Sequence, residues 1–163
     1  MNVQLIEYQP SLREDFLRLN LPWLEEHALL EPIDLEYLRD PEGKILAGGG
    51  QVFFAIRDAA VIGTCAAIRI SADRFELAKL TVDTSARGAG IGRRLCEAVI
   101  DYARQNGATE LVLTSNSALA AAIRLYESLG FRHEPLPPEN PYETANVFMR
   151  MSLGVAPPEN GAG

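Results

Sequence analysis

The residues best suited to hold a charged ligand stand together in Arg87-Gly88-Ala89-Gly90-Ile91-Gly92. Before them, Phe75 to Val82 reads as a strand; after them, Arg93 to Arg104 carries apolar residues at helical spacing. A glycine-rich turn between a strand and a helix brings backbone N–H groups to the positive end of the helix dipole, a site for phosphate or pyrophosphate. Glycines at 88, 90 and 92 remove the Cβ atoms that would hold such a ligand off, and Arg87 adds a fixed positive charge. Two familiar glycine loops fail on spacing. A Walker loop needs G-x-x-x-x-G-K-[ST], and no lysine follows these glycines. A dinucleotide fingerprint, G-x-G-x-x-G, read from Gly88 and Gly90 meets Arg93 where its third glycine belongs.

What remains is R-x-x-G-x-G, followed downstream by Ala121-Ala122-Ile123-Arg124-Leu125-Tyr126-Glu127-Ser128-Leu129-Gly130-Phe131. These two blocks resemble the GNAT superfamily of acyl-CoA-dependent N-acetyltransferases, in particular its stand-alone bacterial members. The second block is similar to the family's A-x-x-L-Y-x-x-L-G-F helix, and the resemblance covers roughly residues 50 to 153. It implies acetyl-CoA as co-substrate, with Arg87, Gly88, Ala89, Gly90, Ile91, Gly92 and Arg93 around the pyrophosphate of coenzyme A. It also implies a splayed strand whose backbone at Leu80, Thr81 and Val82 meets the acetyl carbonyl and the pantetheine arm.

The implied reaction moves an acetyl group to a primary amine of a small molecule or amino acid, by direct attack in a ternary complex; the alternatives are a protein lysine or N-terminal acetyltransferase and a non-catalytic acyl-CoA-binding module. An ammonium with a pKa of about 10.4 reaches its neutral form at pH 7 only at a cost of roughly 4–5 kcal/mol. A proton acceptor, an oxyanion donor and an acid for the departing thiolate are therefore required. Glu76, mid-strand among apolar residues, holds the family's position for a carboxylate base. An ordinary glutamate near 4.3 is a poor match, so either its pKa is raised or a water relays the proton. The alternative is an ion pair with Lys79, Arg57 or Arg69. Tyr126 matches the tyrosine beside the coenzyme A sulfur and is the candidate acid; a buried aromatic anchor is the other reading. Where the family often carries an asparagine, seven residues before Tyr126, stands Leu119. Asn116, three residues earlier, either takes over the pantetheine contact or caps the following helix.

The elements that must position these groups follow from pattern and punctuation. Val3 to Tyr8 is a strand. Ser11-Leu12-Arg13-Glu14 reads as a capping box opening a helix toward Glu26, which Pro22 kinks or divides. Asp34 to Arg39 is a second helix, closed by Asp40-Pro41. Gly48-Gly49-Gly50 leads into a hairpin of Gln51–Arg57 and Val61–Ile70 around Asp58-Ala59-Ala60. A strand over 75–83, a helix over 90–106 capped by Asn106-Gly107, a strand from Glu110 to Thr114, a helix from Ser117 to Leu129 and a strand from Asn146 to Leu153 follow. The fold class is mixed α/β: the GNAT fold, a mostly antiparallel twisted sheet flanked by helices. One domain is expected over 1–153, with a disordered proline- and glycine-rich tail over 154–163.

Composition sets the remaining limits. The net charge is −7 and no basic stripe runs along the chain, which argues against a nucleic-acid partner and either suits a cationic or amine substrate or only keeps the protein soluble. No apolar run spans a bilayer, and the N-terminus lacks a signal-peptide pattern, so the expected location is the cytoplasm. Two cysteines and two histidines make no metal cluster. A homodimer stays open. Acceptor recognition falls to residues 21–50, with Trp23, Glu25, Glu26, Glu31, Asp34, Glu36 and Tyr37, and to the loop from His133 to Ala145, with Glu134, Glu139, Tyr142 and Glu143; the alternative for these charges is a solvated face. His133 is read as a proton relay or a surface residue.

Overall fold

The computed structural model describes residues 2–154; the tail expected over 154–163 lies, apart from Gly154, outside the described residues. Four antiparallel strands build one half of the sheet: β1 (Gln4–Glu7), β2 (Gln51–Arg57), β3 (Ala60–Arg69) and β4 (Arg74–Val82). Three more, β5 (Glu110–Ser115), β6 (Arg132–Glu134) and β7 (Val147–Ser152), build the other, and the order across the sheet is β1-β2-β3-β4-β5-β7-β6. β4 and β5 run parallel; the remaining neighbours are antiparallel. The helices are α1 (Arg13–Glu26), α2 (Pro32–Arg39), α3 (Ile91–Gln105) and α4 (Ala120–Leu129).

Strand β3 is buried from Ile62 to Ile68 because both of its faces are covered. On one face Cys65, Phe75 and Leu77 pack with Leu95, Cys96 and Val99 of α3. On the other, Val52, Phe54 and Ala66 meet Phe16 of α1, Leu38 of α2 and Ile45. Each fully buried aliphatic or aromatic side chain contributes about 1.5–3 kcal/mol, so the two apolar layers hold the sheet between helices. At the β2–β3 turn, Asp58 and Ala59 both take positive φ, 52° and 65°, as a two-residue hairpin with right-twisted strands demands.

Several expectations need correction. Ser11 does not cap a helix: a 3₁₀ turn occupies Pro10–Leu12 and α1 begins at Arg13 with no side-chain cap. Pro10 at the start of that turn sets its tighter winding. Pro22 lies inside α1 without dividing it. Helix α2 starts earlier, at Pro32, where the ring supplies helical φ and gives up an N–H that has no helical partner anyway. Lys44 sits in a π-helical turn over Glu42–Leu46 that was not foreseen. Helix α4 starts at Ala120 rather than Ser117, because Asn116 folds the residues between into a turn: its carbonyl accepts from Leu119 N–H at 2.9 Å and its Oδ1 from Ala118 N–H at 2.8 Å. The expected loop after Phe131 begins as a strand, Arg132–Glu134, paired with β7.

Candidate active site

Two departures from regular sheet geometry open the site. The first is a bulge in β4. Ala66 pairs with Ala78 and Thr64 with Thr81, so Cys65 stands opposite two residues, Lys79 and Leu80. Lys79 is the extra one and takes the left-handed conformation at φ 58°. In a regular strand Lys79 would follow Phe75 and Leu77 into the α3 core. The bulge turns it instead to the α1/α2 face, where Glu76 and Ala78 already point.

The second is a splay. Parallel pairing of β4 with β5 covers Arg74↔Glu110, Phe75↔Leu111 and Glu76↔Val112 and stops there. Leu77 to Val82 and Leu113 to Ser115 then diverge with facing edges unpaired. A cleft of about 700 Å³, part of it open to solvent, lies at these carboxyl ends, where ligands bind in open sheets. Glu76, Lys79, Leu80, Asn116, Leu119 and Tyr126 all line it, together with residues of α1, α2 and the 135–146 loop.

Glu76 is half-buried at the cleft floor and, among the described residues, forms no hydrogen bond or ion pair. The ion pair considered as its alternative does not form. Lys79 bonds Asp34, and Arg69 turns to the Ser71 carbonyl at 3.2 Å. Burial pushes the Glu76 carboxyl up to about 7 against the opposing pull of Lys79. This narrows the gap between an ordinary glutamate and an amine. Tyr126, 7% exposed, stacks edge-on against Phe131 with centroids 5.9 Å apart, and its hydroxyl makes no hydrogen bond among the described residues. Burial, with Cys96 and Cys65 nearby, holds this phenol well above its ordinary value, so it stays protonated.

The glycine loop is built as a cradle. Gly88 and Gly90 sit at φ 85° and 76°, and a Cβ at either would meet nothing within 4 Å. The first amide donating into α3 is Arg94 N–H, to the Gly90 carbonyl at 3.1 Å. Among the described residues the N–H groups of Gly88, Ala89, Gly90, Ile91, Gly92 and Arg93 have no acceptor. Six consecutive free donors at a helix N-terminus fit a pyrophosphate. Arg87 donates from Nε to the Val82 carbonyl at 3.2 Å, bridging strand end and loop. The Arg93 guanidinium points away, to Ser128 Oγ at 2.5 Å, so this residue offers the cradle only its amide. Thr81 is buried, its hydroxyl 3.5 Å from the Leu19 carbonyl. Asn116 is committed at both ends of its amide, with Nδ2 donating to the Thr144 carbonyl at 2.7 Å. It pins the 135–146 loop beside the cleft.

Sequence reasoning passed over two residues here. Asn20, 2% exposed, lines the cleft; its Nδ2 donates to the Phe16 carbonyl at 2.9 Å and its Oδ1 has no partner among the described residues. A polar residue on the apolar face of α1 was the available signal. Lys79 was weighed only as a partner for Glu76. It forms a buried ion pair with Asp34, the two side chains 7% and 4% exposed. His133 stays outside the cleft, half-exposed, 2.8 Å from Glu127.

A loop hinge closes the wall. Glu31 accepts from Thr144 N–H at 2.8 Å, Thr144 Oγ1 at 2.6 Å and Glu143 N–H at 3.0 Å, and these donors hold its carboxyl below the usual range despite desolvation.

A model described as "Acetyltransferase (GNAT) family" matches residues 10–131. N-acetylaspartate synthetase of Rattus norvegicus is 33% identical over 108 residues, covering 66% of this chain and 34% of that protein. The chain spans about a third of the length of the first curated relatives it matches. A GNAT-family acetyltransferase from Staphylococcus aureus Mu50 superposes with a TM-score of 0.85 at 25% identity, over 94% of this chain and 100% of that one. N-acetylglutamate synthase from Neisseria gonorrhoeae, solved with coenzyme A and N-acetyl-glutamate, has a TM-score of 0.70 at 21% identity, over 94% of this chain and 36% of that one. With the splayed strands, the free amides of the glycine loop and the matched family model in agreement, the chain belongs to the GNAT acetyltransferase family.

Proposed function

We propose that this protein transfers an acetyl group from acetyl-CoA to a primary amine of a small molecule, by direct attack within a ternary complex. The observation that carries this reading is the convergence on one cleft of Glu76, Tyr126 and the unpaired edge of β4, beside the free amides of the glycine loop. Acetyl-CoA, when bound, supplies an activated thioester carbonyl. The amides of Gly88 to Arg93 hold the pyrophosphate, and the free backbone near Leu80 to Val82 offers donors to the carbonyl oxygen, already in place before charge develops. Glu76, near pH 7 in its affinity for a proton, takes a proton from the acceptor ammonium and passes it to solvent. The amine nitrogen forms its bond to carbon as the C–S bond breaks. Tyr126 gives its proton to the departing sulfur and recovers one from the nitrogen.

The clasp of Glu31 on the Glu143–Thr144 backbone closes the acceptor side into a pocket rather than an open groove, which favours a small acceptor over a protein. The reading is tested by acetyl-CoA-dependent thiol release across amino acids, polyamines, aminoglycosides and short peptides. Turnover on a small amine is expected. Turnover on peptides alone would overturn the small-molecule assignment.

A further inference from the structure

Lys79 is an expensive residue. A left-handed conformation is strained at a non-glycine residue, and burying an ammonium is tolerable only with a counter-charge. The chain meets both costs at one position and directs the product into the cleft. Asp34 Oδ1 accepts a hydrogen bond from one of the ammonium N–H groups. The rings of Tyr142 and Tyr37 lie 5.4 Å and 6.0 Å from the nitrogen, faces that favour a cation but accept no strong hydrogen bond. The ammonium has three N–H donors, and among the described residues Asp34 is its one hydrogen-bonded acceptor. Unfilled donors on a buried cation at a ligand cleft call for an acceptor on the ligand. Glu31, another acid beside this wall, is already satisfied by Thr144 and Glu143.

This ion pair offers nothing to an acceptor that is merely an amine, since an ammonium, like the unfilled Lys79 N–H groups, only donates. It is right for a molecule with opposite charges at its two ends. Lys79 and Glu76 stand three residues apart on one strand, brought to one face by the bulge. Asn20 Oδ1 adds an unpartnered acceptor for N–H on the same cleft. Trp23, Leu24, Leu29 and Leu119 form an apolar part of the wall.

We infer that the acceptor is an amino acid with an apolar side chain, its carboxylate held by Lys79, its amine directed to Glu76 and its side chain laid against Trp23 and the leucines. The inference rests on the proposed small-molecule acetyl transfer and names its substrate class. The transfer is the one already described: N–C forms, C–S breaks, and of the two protons lost by the ammonium one reaches the sulfur and the other the solvent.

The experiment compares three acceptors that differ at one group: phenylalanine, phenylalaninamide and phenethylamine, each with acetyl-CoA, by initial rate of thiol release. For the native protein kcat/KM should be about 10–100-fold higher for phenylalanine than for either analogue, the worth of a charge-assisted hydrogen bond. In Lys79→Met the preference should shrink to within about three-fold through KM, and Lys79→Arg should restore it. Equal or better turnover of the amide or the amine by the native protein would overturn the inference while leaving small-molecule acetyl transfer standing. So would a Lys79→Met protein that keeps the preference. Silence on all three, with turnover of another small amine, would overturn the inference alone; silence on every small amine, in protein that binds acetyl-CoA by calorimetry, would overturn both. Should Lys79→Met fail to fold, Asp34→Asn/Lys79→Met removes the charges as a pair, and the native comparison needs no variant.

Discussion

Asp34 accepts on both oxygens of its carboxylate: Oδ2 takes the Glu31 N–H at 2.8 Å, and Oδ1 takes the ammonium of Lys79. One side chain thus begins helix α2 and fixes the bulge of β4, two features that have no sequence proximity. Removing it leaves a buried ammonium uncompensated, a loss that typically costs 3–5 kcal/mol. Asp34→Asn is expected to lower unfolding stability by about 3 kcal/mol in urea titration, and Asp34→Asn/Lys79→Met by less than Asp34→Asn alone. A double variant weaker than the single one would show that the pair is not coupled.

The raised carboxyl of Glu76 sets a pH dependence in two quantities. In its proposed role as base it must be deprotonated, so kcat/KM should climb with pH up to about 7 and level off above. Glu76→Gln should lose this limb and slow turnover about 10²–10⁴-fold. For stability the sign is the reverse. The folded chain holds the proton more tightly than the unfolded one, so stability falls as pH rises from 4.5 to about 7 and is constant beyond. Glu76→Gln should therefore be more stable than the native chain at pH 8, by about 2–3 kcal/mol, and equal to it at pH 4. Thermal melts at the two pH values check this.

Tyr126→Phe keeps the edge-on packing against Phe131 and removes the hydroxyl. Turnover should drop about 10²-fold or more with acetyl-CoA affinity nearly intact. Calorimetry beside steady-state kinetics separates the two; a parallel loss of affinity would point to a binding role.

At the cradle, Gly90→Glu places a bulky anion in the space open above a residue with φ 76°. It should abolish measurable coenzyme A binding. Arg87→Ala should weaken binding by about 1.5–3 kcal/mol, because the guanidinium adds charge while the amides carry the grip. Equal losses in calorimetry would contradict that division.

Element types were legible where punctuation was strong. Gly107 and Gly130, at φ 87° and 108°, end α3 and α4 where the sequence placed their caps, and the glycine loop followed its strand as expected. Glu76, Tyr126 and the loop were legible because motif spacing fixes them. The short strand Arg132–Glu134 was not, because three residues carry too little alternation to register; its pairing with β7 makes it a strand. Lys79 was hidden for a different reason. Its orientation depends on a bulge in its own strand that only the register against β3 reveals, and period-two reasoning assigns it to the wrong face. Asn20 and Asp34 show their roles only when α1 and α2 are laid over that bulge.

The splay of β4 from β5 also bears on how the sheet holds together. Its two halves are sewn along one short seam, Arg74↔Glu110 through Glu76↔Val112, and gape beyond it. Anything that bonds to both open edges completes the seam. A ligand held only by the folded chain adds RT ln(1 + [L]/Kd) to its stability, about 2.7 kcal/mol at a hundredfold excess over Kd. Acyl-CoA is in this sense the thread that the chain itself leaves out. Amide exchange along Leu77–Val82 should therefore slow when acetyl-CoA is added, the open edge closing as the ligand occupies it.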